Sequence, residues 1–315
     1  MQAMPESPQY RYMSNEDLIY INGSIGMHRD RGAQRIRPRD TLWHYTTAAG
    51  LIGILESGVL HATNVLYLND ATEYRLITDA ALTLSPRDFV EHGHLLVEAI
   101  KNYLTPEPST IPPLFIACVS EAEDQLSQWK GYSRGENGYA IGFDPDEFYT
   151  TAVRAGRVVR CQYTDEVGAA SIISRMIGSA EHILNGAIAR YPEEKPNVVA
   201  EFVECILRRA SDTYAYTKFV GFHDECEWRT IMRCQTPESI KFKPKGSMLA
   251  PYVELPLSET DASGRVMPIK SIRSIIVGPG QHAGISAMAT RALLRKRTYA
   301  ETVEVRVSKL PFRWA

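Results

Sequence analysis

Apolar residues recur along this chain with two different periods, and their alternation predicts an α+β fold. Leu42, Trp43 and Tyr45 fit a short strand, and Leu51, Ile54 and Leu55 follow at helical spacing. Thr46 or Thr47 supplies the cap between them, because a hydroxyl accepts from the free N–H groups of a first helical turn. Gly58 supplies the left-handed residue that ends the helix. A helical pattern runs from Ala71 to Leu84, and Ser85-Pro86 starts another that reaches about Leu104, with proline in its first turn. Leu114 to Val119 is a continuous apolar run closed by Ser120, which suits a buried central strand. Leu126 to Tyr132 reads as helix, Gly138 to Phe143 as strand, and residues 153–163 as an edge strand. Residues 166–220 are helical, broken at Pro192 to Pro196, and form a candidate insertion. Strand alternation between Phe222 and Met232 puts Cys226, Trp228, Thr230 and Met232 on one face and Glu225, Glu227 and Arg229 on the other. Further β-rich stretches occupy 240–257 and Ile269 to Val277, a helix spans Ala283 to Lys296, and Val303 to Leu310 is a final strand. Residues 1–40 are weakly periodic and read as a solvated lead-in with a basic end at Arg29 to Arg39, leaving 41–315 as a single domain.

Composition narrows the function classes. The 315 residues are 44% hydrophobic and 23% charged, as expected of a soluble globular protein with an ample core. No apolar run reaches membrane-spanning length and the N-terminus carries no signal pattern, so the expectation is a cytoplasmic protein with no membrane partner. A net charge of −2 argues against a broad non-specific nucleic-acid surface. The five cysteines form no C-x-x-C pair and read as reduced thiols, so no metal site is expected.

Several residues carry candidate chemistry. His44 stands at the mouth of a strand–helix junction, where a helix N-terminus favours phosphate; the plainer alternative is a partly buried histidine satisfied by backbone. Asn69 and Asp70 either cap the following helix or face the same cleft. Trp129 and Tyr132, three apart on one helical face, either pack in the core or offer a flat surface to a ring. Glu225, Glu227 and Arg229 are either solvated ion pairs or a site. Gly278-Pro279-Gly280 lacks the residues of a P-loop or a dinucleotide fingerprint and reads as a turn.

The opening His44-Tyr45-Thr46-Thr47 with its following helix resembles the start of ADP-ribosyltransferase-like domains, and is especially similar to the DarT-type DNA ADP-ribosyltransferases. The order His44, Ser120, Glu225-x-Glu227 resembles the three-part layout of that superfamily. Leu68-Asn69-Asp70, Ser120, Trp129-x-x-Tyr132 and Glu225-x-Glu227-Trp228-Arg229 are similar to an uncharacterised bacterial branch of it, over about residues 41–310. The middle strand departs from the pattern in lacking a full S-T-S. The resemblance implies a split β-sheet core with flanking helices and a helical insertion, with NAD as co-substrate. Glu227 would face the oxocarbenium-like state formed as the nicotinamide–ribose bond breaks, and Glu225 would orient or deprotonate the acceptor. His44, with Thr46, Asn69 and Asp70 beside it, would meet the ribose. Tyr45 or Trp129, near Tyr132, would pack on nicotinamide. Ser120 would steady Glu227, and Arg229 or Arg75 would meet the pyrophosphate. The implied function is an NAD-dependent ADP-ribosyltransferase modifying a macromolecule (protein, DNA or RNA), in the role of a bacterial toxin or antiphage effector with an antitoxin or regulatory partner. The alternatives are an NAD glycohydrolase and a catalytically silent domain that senses a nucleotide or binds a partner.

Overall fold

The computed structural model describes residues 10–24, 37–68, 72–104, 113–132, 138–234, 236–299 and 303–311. The fold is mixed α+β, and the chain divides into two compact units, each assembled from three separated segments.

The helical unit takes residues 1–34, 70–110 and 163–220. Its described helices are α1 (Asn15–Ser24), then, further along the chain, α3 (Thr72–Thr83), α4 (Gly93–Leu104), α7 (Glu166–Arg190) and α8 (Lys195–Tyr214). The long α7 begins at Asp165, whose side chain accepts from the Gly168 N–H at 2.8 Å. It buries Ala169, Ile173, Met176, Ile177, Ala180 and Leu184 on one stripe, and packs against α1, α3, α4 and α8. Glu181 from the same stripe is buried and accepts at 2.8 Å from the Gly93 N–H at the start of α4, a donor it shares with the Val90 carbonyl at 3.0 Å. Two expectations need correction here. The N-terminal segment is not a solvated lead-in throughout: Tyr12, Met13 and Ile21 are buried in this helical core, although α1 is too weakly periodic to announce it. The helix expected from Ser85-Pro86 is only a 3₁₀ turn over Pro86–Asp88, and α4 starts at Gly93.

The sheet unit takes residues 35–69, 111–162 and 221–315. Its strands are β1 (Leu42–Thr46), β2 (Val59–Asn64), β3 (Leu114–Ser120), β4 (Tyr139–Phe143), β5 (Arg157–Arg160), β8 (Glu227–Arg233), β9 (Lys241–Lys245), β10 (Met248–Pro256), β11 (Ile272–Val277) and β12 (Glu304–Val307). The two remaining strands, β6 (Gln162–Thr164) and β7 (Thr217–Phe219), pair in a separate ribbon. The main sheet runs β12-β11-β4-β1-β3-β2-β10-β9, with β8 and β5 branching from β3, and among the described residues only β11 and β12 are parallel. The described helices of this unit are α2 (Ala48–Ser57), α5 (Leu126–Tyr132), α6 (Pro145–Ala152) and α9 (Ala283–Lys296). Thr47, rather than Thr46, caps α2 by accepting from the Gly50 N–H, and Gly58 ends it at φ 69°. Leu42, Leu60, Phe115, Ala117, Ile141, Trp228 and Val253 face the main core, so the alternate residues of β2, β3 and β8 lie on the opposite face.

Candidate functional site

Strand β3 is where the sheet opens. Along one edge it pairs with β8 from Leu114↔Arg233 to Ser120↔Glu227. Two strands share its other edge: β1 at Trp43↔Ser120, and β2 at Thr63↔Ile116 and Asn64↔Phe115. Between those contacts β1 and β2 diverge, and the stretch 117–119 of β3 faces a fork. His44 occupies it, with Nδ1 2.9 Å from the Cys118 carbonyl oxygen. A carbonyl only accepts, so Nδ1 carries the proton. Burial pushes the imidazole pKa down, outweighing the Cys118 bond that raises it, and the charge of Lys243 lowers it further. The ring is therefore neutral, and its Nε2 is an acceptor.

His61, two residues before Thr63 on β2, reaches the same fork. Its ring stacks on Tyr252 of β10, with centroids 3.9 Å apart and planes 28° apart. Although surface-exposed, it is crowded by surrounding protein. That desolvation, with Lys243 next and Glu254 opposing, brings its pKa down to about 4. Lys243 of β9 is half-buried and stands 5.4 Å from the Tyr252 ring centroid. Burial first and Lys245 second lower its pKa to about 8. Lys245 donates to the Tyr67 carbonyl, and Lys241 pairs with Glu254 at 2.7 Å. No local pattern in the sequence marks His61, Lys243 or Tyr252 as site residues. The alternating Lys241, Lys243 and Lys245 put three ammonium groups on one face of any strand there, but nothing local says that β10 and β2 carry that face to His44.

At the far end of β3 the expected Ser and Glu lie side by side. Ser120 stands in register with both Trp43 of β1 and Glu227 of β8, so the residues of the H…S…E order meet on three neighbouring strands. Their hydroxyl and carboxylates are engaged differently from the expectation. The Ser120 hydroxyl donates to the Glu225 carbonyl at 2.5 Å and accepts from the Ala122 N–H at 2.9 Å, so it holds backbone rather than the Glu227 carboxylate. Glu227 and Arg229 do share a face, but both are buried, and the guanidinium grips the carboxylate through Nε at 2.7 Å and Nη2 at 3.2 Å. The solvated-pair reading is thereby corrected to a buried bidentate pair. Glu225 is not on the strand at all. It ends a 3₁₀ turn over Val220–Glu225, and Cys226 then takes φ 43°, so the alternation that put Glu225 beside Glu227 is broken by that kink.

The aromatic residues expected to stack on a ring form core instead. Trp129 is 1% exposed and meets Tyr45 edge-on at 4.8 Å, with Tyr132 packed against them. Its Nε1 donates to Asp124 at 2.9 Å. The Tyr45 hydroxyl donates to the Ala122 carbonyl and accepts from the Gln125 N–H, and burial raises its pKa. Both rings are thus fixed by packing and hydrogen bonds, with no face left open. Thr46 is half-buried beside Gly50, where a Cβ would lie 2.0 Å from its Oγ1. Arg75 belongs to the helical unit, exposed and 3.6 Å from Asp79. Asn69 and Asp70 lie outside the described residues. Among the described residues no three His, Cys, Asp or Glu side chains gather as a metal site, and no helix is long and apolar enough to cross a membrane.

A family described as a protein of unknown function (DUF2971) matches residues 128–230, less than half of the chain. The matched stretch includes Trp129, Tyr132, Glu227 and Arg229, and leaves out His44 and Ser120. No curated protein and no solved structure matches the chain.

Proposed function

We propose that the sheet unit is an ADP-ribosyltransferase-like domain that uses NAD to modify a macromolecule. The observation that carries this reading is the meeting of β1, β3 and β8 at one level, with Trp43, Ser120 and Glu227 in register and His44 next along β1 at the fork. A neutral His44 with its proton held on Nδ1 presents Nε2 as an acceptor suited to a ribose hydroxyl. Lys243 and Lys245 supply positive potential on the same unit, which suits the phosphates of NAD. Glu227 would contribute its carboxylate at the end of β3, with Arg229 fixing its orientation. NAD supplies the electrophilic ribose carbon, and the protein residues bind and orient it.

One observation favours a second reading, a silent nucleotide-binding domain: Glu227 is 4% exposed and its carboxylate is bridged on both oxygens by Arg229. An NAD glycohydrolase has no separate structural support.

The test is nicotinamide release from NAD by the full chain, with cell extract as a source of acceptors. Wild-type release that falls at least a hundredfold in both His44→Gln and Glu227→Gln, each checked for folding, is the expected outcome. Release that persists in His44→Gln rules out the fork as the NAD site. No release from folded wild type with extract present shifts the weight to the silent reading. Release without labelling of any macromolecule identifies a glycohydrolase.

A further inference from the structure

Lys243 is an unusual lysine for a strand at a sheet edge. Its ammonium is half-buried and, among the described residues, makes no ion pair; its one polar partner is the face of Tyr252. Removing a charge from water without an opposite charge is costly, and here the cost appears as a proton held less tightly than usual. The titratable groups around it are Lys241 and Lys245 on its own strand, Tyr252 and Glu254 on β10, His61 on β2 and His44 on β1. Glu254 does not neutralise Lys243, because it is paired with Lys241. Two imidazoles held neutral stand beside it: His44 has its N–H committed to the Cys118 carbonyl and presents an acceptor, whereas His61 can donate one hydrogen bond and accept another.

We infer that Lys243, backed by Lys245 and flanked by His61, forms a binding site for the phosphate group of a small phosphorylated molecule. An anion there supplies the counter-charge that the fold omits, and its several oxygens match the three donors of an ammonium and the N–H of an imidazole. A nucleic-acid backbone fits less well. Of the three lysines on this face Lys241 is already matched by Glu254, and the Tyr252 ring is engaged by His61 and Lys243, which leaves it a poor platform for a base. The inference deepens the NAD reading, which already gives Lys243 and Lys245 to the phosphates, but it does not need turnover, since it concerns a phosphate group on residues outside the H…S…E set.

The experiment is calorimetric titration of the full chain with inorganic phosphate and with pyrophosphate at pH 7, and separately with a short single-stranded oligonucleotide. Pyrophosphate should bind wild type and bind Lys243→Ala roughly ten- to a hundredfold more weakly, the loss expected for one charge-assisted contact. Lys243→Arg should retain affinity within a few fold, and Lys270→Ala, an exposed lysine elsewhere on the unit, should leave it unchanged. Melting curves verify that each variant is folded. Affinity should fall as pH rises above about 8, where Lys243 loses its proton. Equal affinity in wild type and Lys243→Ala, or no binding of either anion to wild type, overturns the inference. Oligonucleotide binding that needs Lys243 while pyrophosphate fails to bind overturns it in favour of a nucleic-acid surface. Nicotinamide release that continues without anion binding would leave the NAD reading standing alone.

Discussion

The buried pair of Glu227 and Arg229 bears on both the stability of the sheet unit and its candidate site. Arg229 is 1% and Glu227 4% exposed, and two hydrogen bonds join them. Replacing Glu227 by Gln preserves shape and one acceptor but takes from the buried guanidinium the carboxylate that grips it. Breaking such a pair from one side costs about 3–5 kcal/mol, and the retained acceptor places this variant toward the lower figure. At roughly 2–4 °C per kcal/mol for a domain of this size, the sheet unit should melt about 6–12 °C below wild type. The double variant Glu227→Gln with Arg229→Met removes the guanidinium as well and should recover a substantial part of that loss. The assay is thermal unfolding followed by tryptophan fluorescence, since Trp228 lies between the two residues and is itself buried. A Glu227→Gln protein that melts within about 2 °C of wild type would refute the buried pair. It would also free the carboxylate for a purely chemical role. Activity comparisons on this variant belong well below its own melting temperature.

Two further outcomes follow from backbone and protonation. Gly58→Ala should destabilise the protein by more than about 1 kcal/mol, because the residue sits at φ 69° and its Cβ would lie 2.8 Å from both Ser258 and Val266, whereas Gly53→Ala, on an exposed helical position with open space around it, should be neutral or stabilising by roughly 0.5–1 kcal/mol. Denaturation midpoints read the pair directly, and equal effects at the two sites would contradict the assigned conformation. The depressed pKa values of His44 and His61 mean that the unfolded chain takes up protons that the folded one refuses. Stability from these groups is therefore full above the usual histidine value of about 6.5 and declines as pH falls toward about 4. Denaturant midpoints at pH 7.5 and 5 should show the decline, and His61→Gln should flatten it; an unchanged slope in that variant would remove His61 as a cause.

Much of the local structure is legible in single residues. The hydroxyl of Thr47, Gly58 and the spacing of Leu51, Ile54 and Leu55 define α2 by short-range rules, and the apolar run 114–119 forms the buried strand that its composition requires. The broken alternation at Glu225 was not legible, because the kink at Cys226 is decided by where the preceding turn is tied: the Glu225 carbonyl takes a hydrogen bond from Ser120, 105 residues earlier. The roles of Tyr45 and Trp129 turned on the same kind of fact. An aromatic pair suits a ligand or a core equally well until the residues around it close over both rings. What the sequence determined by itself was the type and place of most elements, since caps, periods and turn residues act within a few positions. Tertiary structure alone decided which strands share β3, and so brought Lys243 of one hairpin to the histidines of β1 and β2. Burial and charge at a site are sums over neighbours from every strand, and the pairing that selects those neighbours is written in no local stretch of chain.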